Sequence, residues 1–264
     1  MKVNYCIFSW RFNFIGEPCL KTLPPNPRGD IHLVHNGKTR EHADRMRLYD
    51  KVDHVWFEPD DMYHGGLLDR IMRLGAYPEI TDCDWLMIVD QDIFIYDQEV
   101  FTRHINEFCG MMTIPDTMLV VNRENYGEYG YRFLFRTMPF FAIGVTDEWK
   151  EYPSTWDRQV LSDDEKYDSA QRLAHMVGVD RIQGRHIRED AFLKHLSSLW
   201  WWLTPEKDPR LFEQMRGFYA DVVGSKKYWE IPDYELDLAA EHPLLKESVD
   251  MHRELAAGDS FDDL

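Results

Sequence analysis

Four apolar runs punctuate the first third of the chain: Val3 to Trp10, Asp30 to His35, Val52 to Phe57 and Trp85 to Val89. Each has the length of a buried strand, roughly four to eight residues. Between the first two, Arg11 to Arg28 is broken by Pro and Gly ("GEPCLKTLPPNPRG") and reads as a loop. After Gly37, "KTREHADRMRLYD" is charged and helical in pattern. A second helix is expected from Leu67, with Leu67, Leu68, Ile71, Met72 and Leu74 on one side. Strands alternating with helices predict an α/β layered domain with a mostly parallel sheet.

The middle of the chain changes character. Met111 to Pro115 and Thr117 to Val121 read as short strands, and "YRFLFRTMPFFAIGV" alternates aromatic residues up to Gly144. Beyond Asp147 the pattern turns charged and helical, with helices expected over "SAQRLAHMVGV" and "EDAFLKHLSSLWWWL". The C-terminal stretch is charged and helical in tendency, ending in a frayed "AAGDSFDDL". No internal repeat or low-complexity block interrupts it.

Composition narrows the partners. Of 264 residues, 44% are hydrophobic and 14% aromatic, enough to bury a sizeable core and unlike a disordered chain. Forty-seven acidic against 30 basic residues give a net charge of −17, which disfavours nucleic acid as a partner without removing a local basic groove. Cys6, Cys19, Cys83 and Cys109 form no CxxC pair and have no His at zinc-finger spacing, so a structural zinc site is not expected. Cys6 reads as a buried thiol, and the chain as reduced and cytoplasmic. No apolar run reaches the length of about 18 residues that a membrane span needs. "MKVNYCIFSW" reads as a first strand and not as a signal peptide.

The chemistry concentrates where the fourth strand ends. In "WLMIVDQDIF" five apolar residues run into Asp90-Gln91-Asp92. Ligands of parallel α/β sheets bind outside the carboxyl ends of the strands. Two carboxylates at i and i+2 of an extended segment share a side. Held close they repel unless a cation joins them, and hard cations such as Mg²⁺ or Mn²⁺ take oxygen ligands and bridge phosphates. A solvated turn can also show a bare Asp-x-Asp; the apolar run before this one favours a metal-bound diphosphate.

In its order of motifs the sequence resembles a GT-A-fold glycosyltransferase, most like glycosyltransferase family 2. The second strand ends at His35-Asn36-Gly37, a Gly-bearing turn and helix follow at His64-Gly65-Gly66 through Arg70 to Gly75, and a buried strand then reaches Asp90-Gln91-Asp92. "FRTMPFFAIGVTDEW" follows, with Arg136, Gly144, Asp147 and Glu148, and then Glu189-Asp190 in "HIREDAFLKHL". The resemblance covers about residues 3 to 200. It departs in the longer Pro-rich first loop and in the missing Asp-Gly-Ser after the second strand. It implies a Rossmann-like α/β/α sandwich with a mostly parallel central sheet. Residues 1–203 would form the catalytic domain, with 1–100 as the donor-binding half and 101–203 as the acceptor half, and 204–264 a helical C-terminal extension.

The resemblance also implies roles. Asp92, with Asp90, would hold Mn²⁺ or Mg²⁺, and Asp90 would also meet the donor ribose. Ser9, Trp10, Arg11, Asn36 and Arg70 would contact the donor, a nucleoside-diphosphate sugar such as a UDP-sugar. Asp190, with Glu189 as runner-up, would take the acceptor's proton in an inverting displacement; both also suit the start of a helix, whose dipole favours acids. A retaining outcome stays open, as does a metal-ligating role for His186, His195, His242 or His252. Trp200, Trp201 and Trp202 offer either core packing or an acceptor wall. The acceptor is unreadable: glycan, protein, lipid-linked sugar, metabolite and modified nucleobase all fit. A non-catalytic sugar- or protein-binding module is the main alternative. A DxD phosphatase fits poorly, because Phe94 stands where that motif wants Thr or Val.

Overall fold

The computed structural model describes residues 1–10, 19–20, 22–36, 40, 43–44, 51–60, 62, 64–122, 140–152, 159–160, 166–167, 177–188 and 191–195, and the single positions 237, 240, 250 and 253. Strands β1 (Val3–Trp10), β2 (Ile31–Asn36) and β3 (His54–Glu58) precede helix α1 (His64–Met72). Then come β4 (Trp85–Asp90), the short β5 (Ile93–Ile95), helix α2 (Gln98–Met111), β6 (Leu119–Asn122) and β7 (Phe140–Gly144). A 3₁₀ turn at Asp147–Lys150 and a small ribbon of β8 (Gln159–Val160) with β9 (Lys166–Tyr167) follow. The described core ends with a 3₁₀ turn at Val179–Arg181, β10 (Ile182–Arg185) and β11 (Leu193–His195).

Seven strands form one sheet in the order β10-β6-β7-β4-β1-β2-β3. Only β7 runs antiparallel to its neighbours; every other pairing in that sheet is parallel. The four strands expected in the first third are therefore β1 to β4, and β4 sits at the centre, between β1 and β7.

Helices cover both faces, which explains the unbroken apolar runs. Val3, Tyr5 and Ile7 of β1 and Trp85, Met87 and Val89 of β4 share a core with Phe101, Ile105, Phe108 and Cys109 of α2. The intervening Cys6, Phe8, Leu86 and Ile88 pack with Leu67, Leu68, Ile71 and Met72 of α1. A strand buried on both faces has no reason to alternate. Each such side chain withdrawn from water contributes about 1.5–3 kcal/mol, which sets β1 and β4 at the centre. Gly29 lets the entry to β2 pass close by β1: a Cβ there would stand 2.5 Å from the Val3 carbonyl oxygen.

Three local expectations are corrected. Met111–Pro115 is no strand but the end of α2 and the turn after it. Within the expected loop, Leu23 N–H donates to Cys19 O at 2.8 Å, closing a helical turn that buries Cys19, Leu20 and Leu23. The helix expected from Glu189 does not form over Leu193–His195, which is extended and pairs antiparallel with β5. The cause is tertiary: in this pairing Phe192 and Leu193 are buried, Phe192 beside Phe101, and β5's backbone edge is satisfied. Of the other expected helix, Val177 is helical and Gly178, at φ 89°, ends it. "KTREHADRMRLYD" is described only at the helical Arg40, Ala43 and Asp44. Most of the C-terminal extension lies outside the described residues. No described helix is long and apolar enough to cross a membrane, and the four cysteines are free.

Candidate active site

The carboxyl ends of β1, β2, β3 and β4 line one rim of the sheet. Strand register sets what meets there: Phe8 aligns with Asp90, Trp10 with Asn36, and Asn36 with Glu58. Asp90 is the last residue of β4, half-buried where the five residues before it are buried. Gln91 and Asp92 then form a tight turn into β5, with Gln91 buried and Asp92 half-buried. Asp90 therefore ends the strand and Asp92 sits in the turn, so the two do not project from one extended segment as expected, although both lie at the rim.

Beneath this turn lies the Cys19–Leu23 helical turn. Cys19 Sγ donates to Asp90 O at 3.5 Å. Burial, and then the nearby carboxylates of Asp92 and Asp90, push the Cys19 thiol far up, so it stays protonated as a donor. Thr22 Oγ accepts from Ile95 N–H at 3.1 Å, and Gln98 donates to Thr22 O at 2.6 Å. The first loop, Pro-rich as it is, thus holds the floor under both acids.

The other wall comes from the distant half of the chain. β10 pairs with β6, and Asn122 at the end of β6 clamps Ile187 through both amide atoms, at 3.0 and 2.9 Å. β11 pairs with β5 in the register Leu193 to Ile95 and His195 to Ile93. Tyr96 and Asp97 N–H groups both donate to Phe192 O at 3.1 Å. Glu189 and Asp190 lie outside the described residues, but the residues on either side are fixed: Ala191 N–H donates to Arg188 O at 3.2 Å. The same register sets the His195 backbone opposite Ile93, the neighbour of Asp92. His186 is exposed at the end of β10. His242, His252, Arg11, Arg136 and the three tryptophans lie outside the described residues.

Several expected donor contacts are engaged inside the protein. Ser9 is buried, its hydroxyl 3.2 Å from His35 Nδ1. Asn36, also buried, grips the Met62 backbone, accepting from its N–H at 3.2 Å and donating to its carbonyl. Arg70, in the last turn of α1, is held by Glu58 at 2.8 Å and Asp60 at 2.5 Å. Glu58 is 1% exposed and also accepts from Tyr77 Oη at 3.0 Å and from Asp60 N–H at 3.1 Å. Burial, and then this carboxylate, push the Tyr77 phenol up to about 12. Sequence reasoning missed Glu58, which fixes the turn after β3 against α1. Its signal was available: an acid as the last residue of an apolar strand, followed by Pro59. Replacing Glu58 by Gln is expected to cost about 2–3 kcal/mol, because the buried charge facing the Arg70 guanidinium and one of the two acceptor oxygens are lost. Urea unfolding of the pair of proteins measures it.

The donor set at the rim is oxygen only and partly open to solvent, which suits a hard divalent cation better than a soft one. Among the described residues, a group of three mutually close His, Cys, Asp or Glu ligand atoms occurs elsewhere, at Asp30, His32 and His54.

No family model matches the chain, and no curated protein matches it. Solved structures similar to it include glycosyltransferases. One is GlyE of Streptococcus pneumoniae, at 10% identity and a TM-score of 0.43 over 72% of this chain. The chain spans 46% of that protein's length. The glucosyl-3-phosphoglycerate synthase of Mycobacterium tuberculosis, solved with Mn²⁺, UDP and glucosyl-3-phosphoglycerate, aligns at 13% identity and a TM-score of 0.45, over 72% of this chain and 74% of its own. TarS of S. aureus aligns at 12% identity and 0.43, over 99% of this chain and 74% of its own. At those values the likeness carries no functional weight; the chain's own geometry does.

Proposed function

We propose that residues 1–203 form a metal-dependent glycosyltransferase that moves a sugar from a nucleoside-diphosphate donor to an acceptor hydroxyl, with inversion. One observation carries this reading. The central strand β4 delivers Asp90 and Asp92 to the carboxyl rim, and β11 pairs with β5 directly after them, so the chain flanking Glu189-Asp190 is tied to the same corner.

In this reading Asp92, with Asp90, would hold Mn²⁺ or Mg²⁺ at the donor diphosphate, and the backbone pairing of His195 with Ile93 supports a late histidine joining them. When bound, the ion supplies positive charge beside the departing diphosphate. The residues of the chain do the rest. Asp90 orients the donor ribose from the strand end. Asp190 accepts the proton of the acceptor hydroxyl as its oxygen attacks the anomeric carbon, and Glu189 stands in reserve. Asn122 holds Ile187 and β11 holds Leu193 to His195 at the same corner, anchors on either side of the two acids that support a positioned base.

The test is a donor screen. The full chain with Mn²⁺ is heated in the presence of each common sugar nucleotide. The matching one should raise Tm by about 5 °C or more at a hundredfold excess over Kd, in a Mn²⁺-dependent way, with slow release of the nucleoside diphosphate. No shift and no release with any donor would leave a binding module as the better reading.

A further inference from the structure

Away from the rim, toward the amino ends of β2 and β3, two histidines and an aspartate converge. His32 and His54 are register partners on neighbouring strands, with ring centroids 4.8 Å apart and planes within 20°. Asp30 lies two residues before His32, at the entry to β2. One ligand atom from each of the three falls within 4.8 Å of the others. His32 is four residues, about 13 Å, short of Asn36 at the carboxyl rim, so this group is separate from Asp90 and Asp92.

The second observation concerns His32 alone. It is 0% exposed, yet its Nε2 meets no hydrogen-bonding partner among the described residues. A buried polar nitrogen without a partner is destabilising, and a ligand that bonds it removes that cost. Its other nitrogen is engaged: the Trp56 indole N–H donates to Nδ1 at 3.3 Å. Burial, and then the neighbouring His54, lower the His32 pKa to about 4, so the ring is neutral at pH 7. Asp30 is not idle either; it pairs with Lys2 Nζ at 3.3 Å, in a salt bridge whose two side chains are each about 40% exposed and which an incoming cation can displace.

We infer that Asp30, His32 and His54 form a second divalent-cation site, of mixed nitrogen and oxygen ligands, that accepts Zn²⁺ or a similar borderline ion with water completing the shell. Three ligands with water is an ordinary zinc arrangement, and ligands on one tetrahedral zinc stand about 3.3 Å apart. Asp30 and His54, both half-buried, can close the remaining distance while buried His32 stays in place. His32 would bind through Nε2. Its proton then belongs on Nδ1, where Trp56 now donates, and metal-ligating histidines donate from the second nitrogen to an acceptor. Ion binding therefore displaces the Trp56 N–H, which makes that indole both a competitor and a reporter.

The experiment uses the full chain carrying Asp90→Asn and Asp92→Asn, which silences the rim acids, and Zn²⁺ alone as the probe, read by isothermal titration and by tryptophan emission. One Zn²⁺ per chain is expected, with affinity falling at least tenfold on adding His54→Gln or Asp30→Asn. Both substitutions sit at half-buried positions, and circular dichroism verifies that each variant is folded. Trp56→Phe should tighten Zn²⁺ about threefold to tenfold, the worth of one hydrogen bond no longer in competition, and should abolish most of the emission change. No Zn²⁺ binding by the parent, or equal binding by the His54 and Asp30 variants, overturns the site. Unchanged or weaker affinity in Trp56→Phe overturns ligation through His32 Nε2.

Discussion

Asp92→Ala is expected to lower sugar transfer by about a thousandfold and to leave the fold intact. The size follows from what the carboxylate is proposed to do. Removing one preorganised group that stabilises charge developing in the transition state costs about 10²–10³ in kcat, and loss of a metal ligand adds weaker ion binding. The fold survives because Asp92 is half-buried in the turn between β4 and β5, while that turn is held from elsewhere, by Thr22 on Ile95 and by β11 along β5. Nucleoside-diphosphate release measured across a Mn²⁺ titration checks it. The variant should need far more Mn²⁺ and still not recover the parental rate. Full recovery would reduce Asp92 to a contributor to ion affinity, and an unchanged rate without added Mn²⁺ would remove it from the chemistry.

The strands of the first third were legible because burial on both faces gives a strand a short run of apolar residues, which its length and the flanking turn residues separate from a buried helix. Val3 to Trp10 and Trp85 to Val89 are such runs, and they occupy the centre of the sheet. α1 was legible from its one-sided leucines and isoleucine. α2 carried equal information that strand-like reading of Met111 to Pro115 overlooked: Phe101, Ile105, Phe108 and Cys109 fall at helical spacing, and Asp97 caps the helix by accepting from Val100 N–H at 3.0 Å. β11 could not be read this way. "AFLKHL" has too few apolar positions to distinguish periods of two and 3.6, and its state is decided by β5, a hundred residues earlier.

The site divides along the same line. The rim position of Asp90 and Asp92 was legible because an apolar strand ending in acids is a local signal. The fates of Ser9, Asn36 and Arg70 were not, because each is set by a partner distant in sequence: His35, Met62, and Glu58 with Asp60. A polar residue at the rim of a parallel sheet has two uses, to meet a ligand or to hold the neighbouring turn. Three-dimensional geometry shows Ser9 bonded across to β2 and Asn36 and Arg70 holding the turn after β3, bonds that any donor contact would have to share.

Asp190→Asn should lower transfer about 10²–10⁴-fold, the usual worth of a positioned general base, while donor binding changes less than twofold. The amide keeps the shape and hydrogen-bonding capacity of the side chain but cannot take a proton, so the loss should fall on kcat and spare the Mn²⁺-dependent thermal shift produced by the nucleoside diphosphate. That separation distinguishes it from Asp92→Ala, which should weaken both. The pH profile sharpens the test. A carboxylate base works only when ionised, so parental kcat/KM should fall as pH drops through the base's pKa, and this acid limb should vanish in the residual activity of Asp190→Asn. Glu189→Gln serves as the internal comparison, since both acids fall in the sequence between the anchored residues Ile187 and Phe192. If Glu189→Gln removes the acid limb and Asp190→Asn leaves it, the two residues exchange roles. If neither alters it, the proton leaves by another group, and the pairing of β11 with β5 serves only to close the rim.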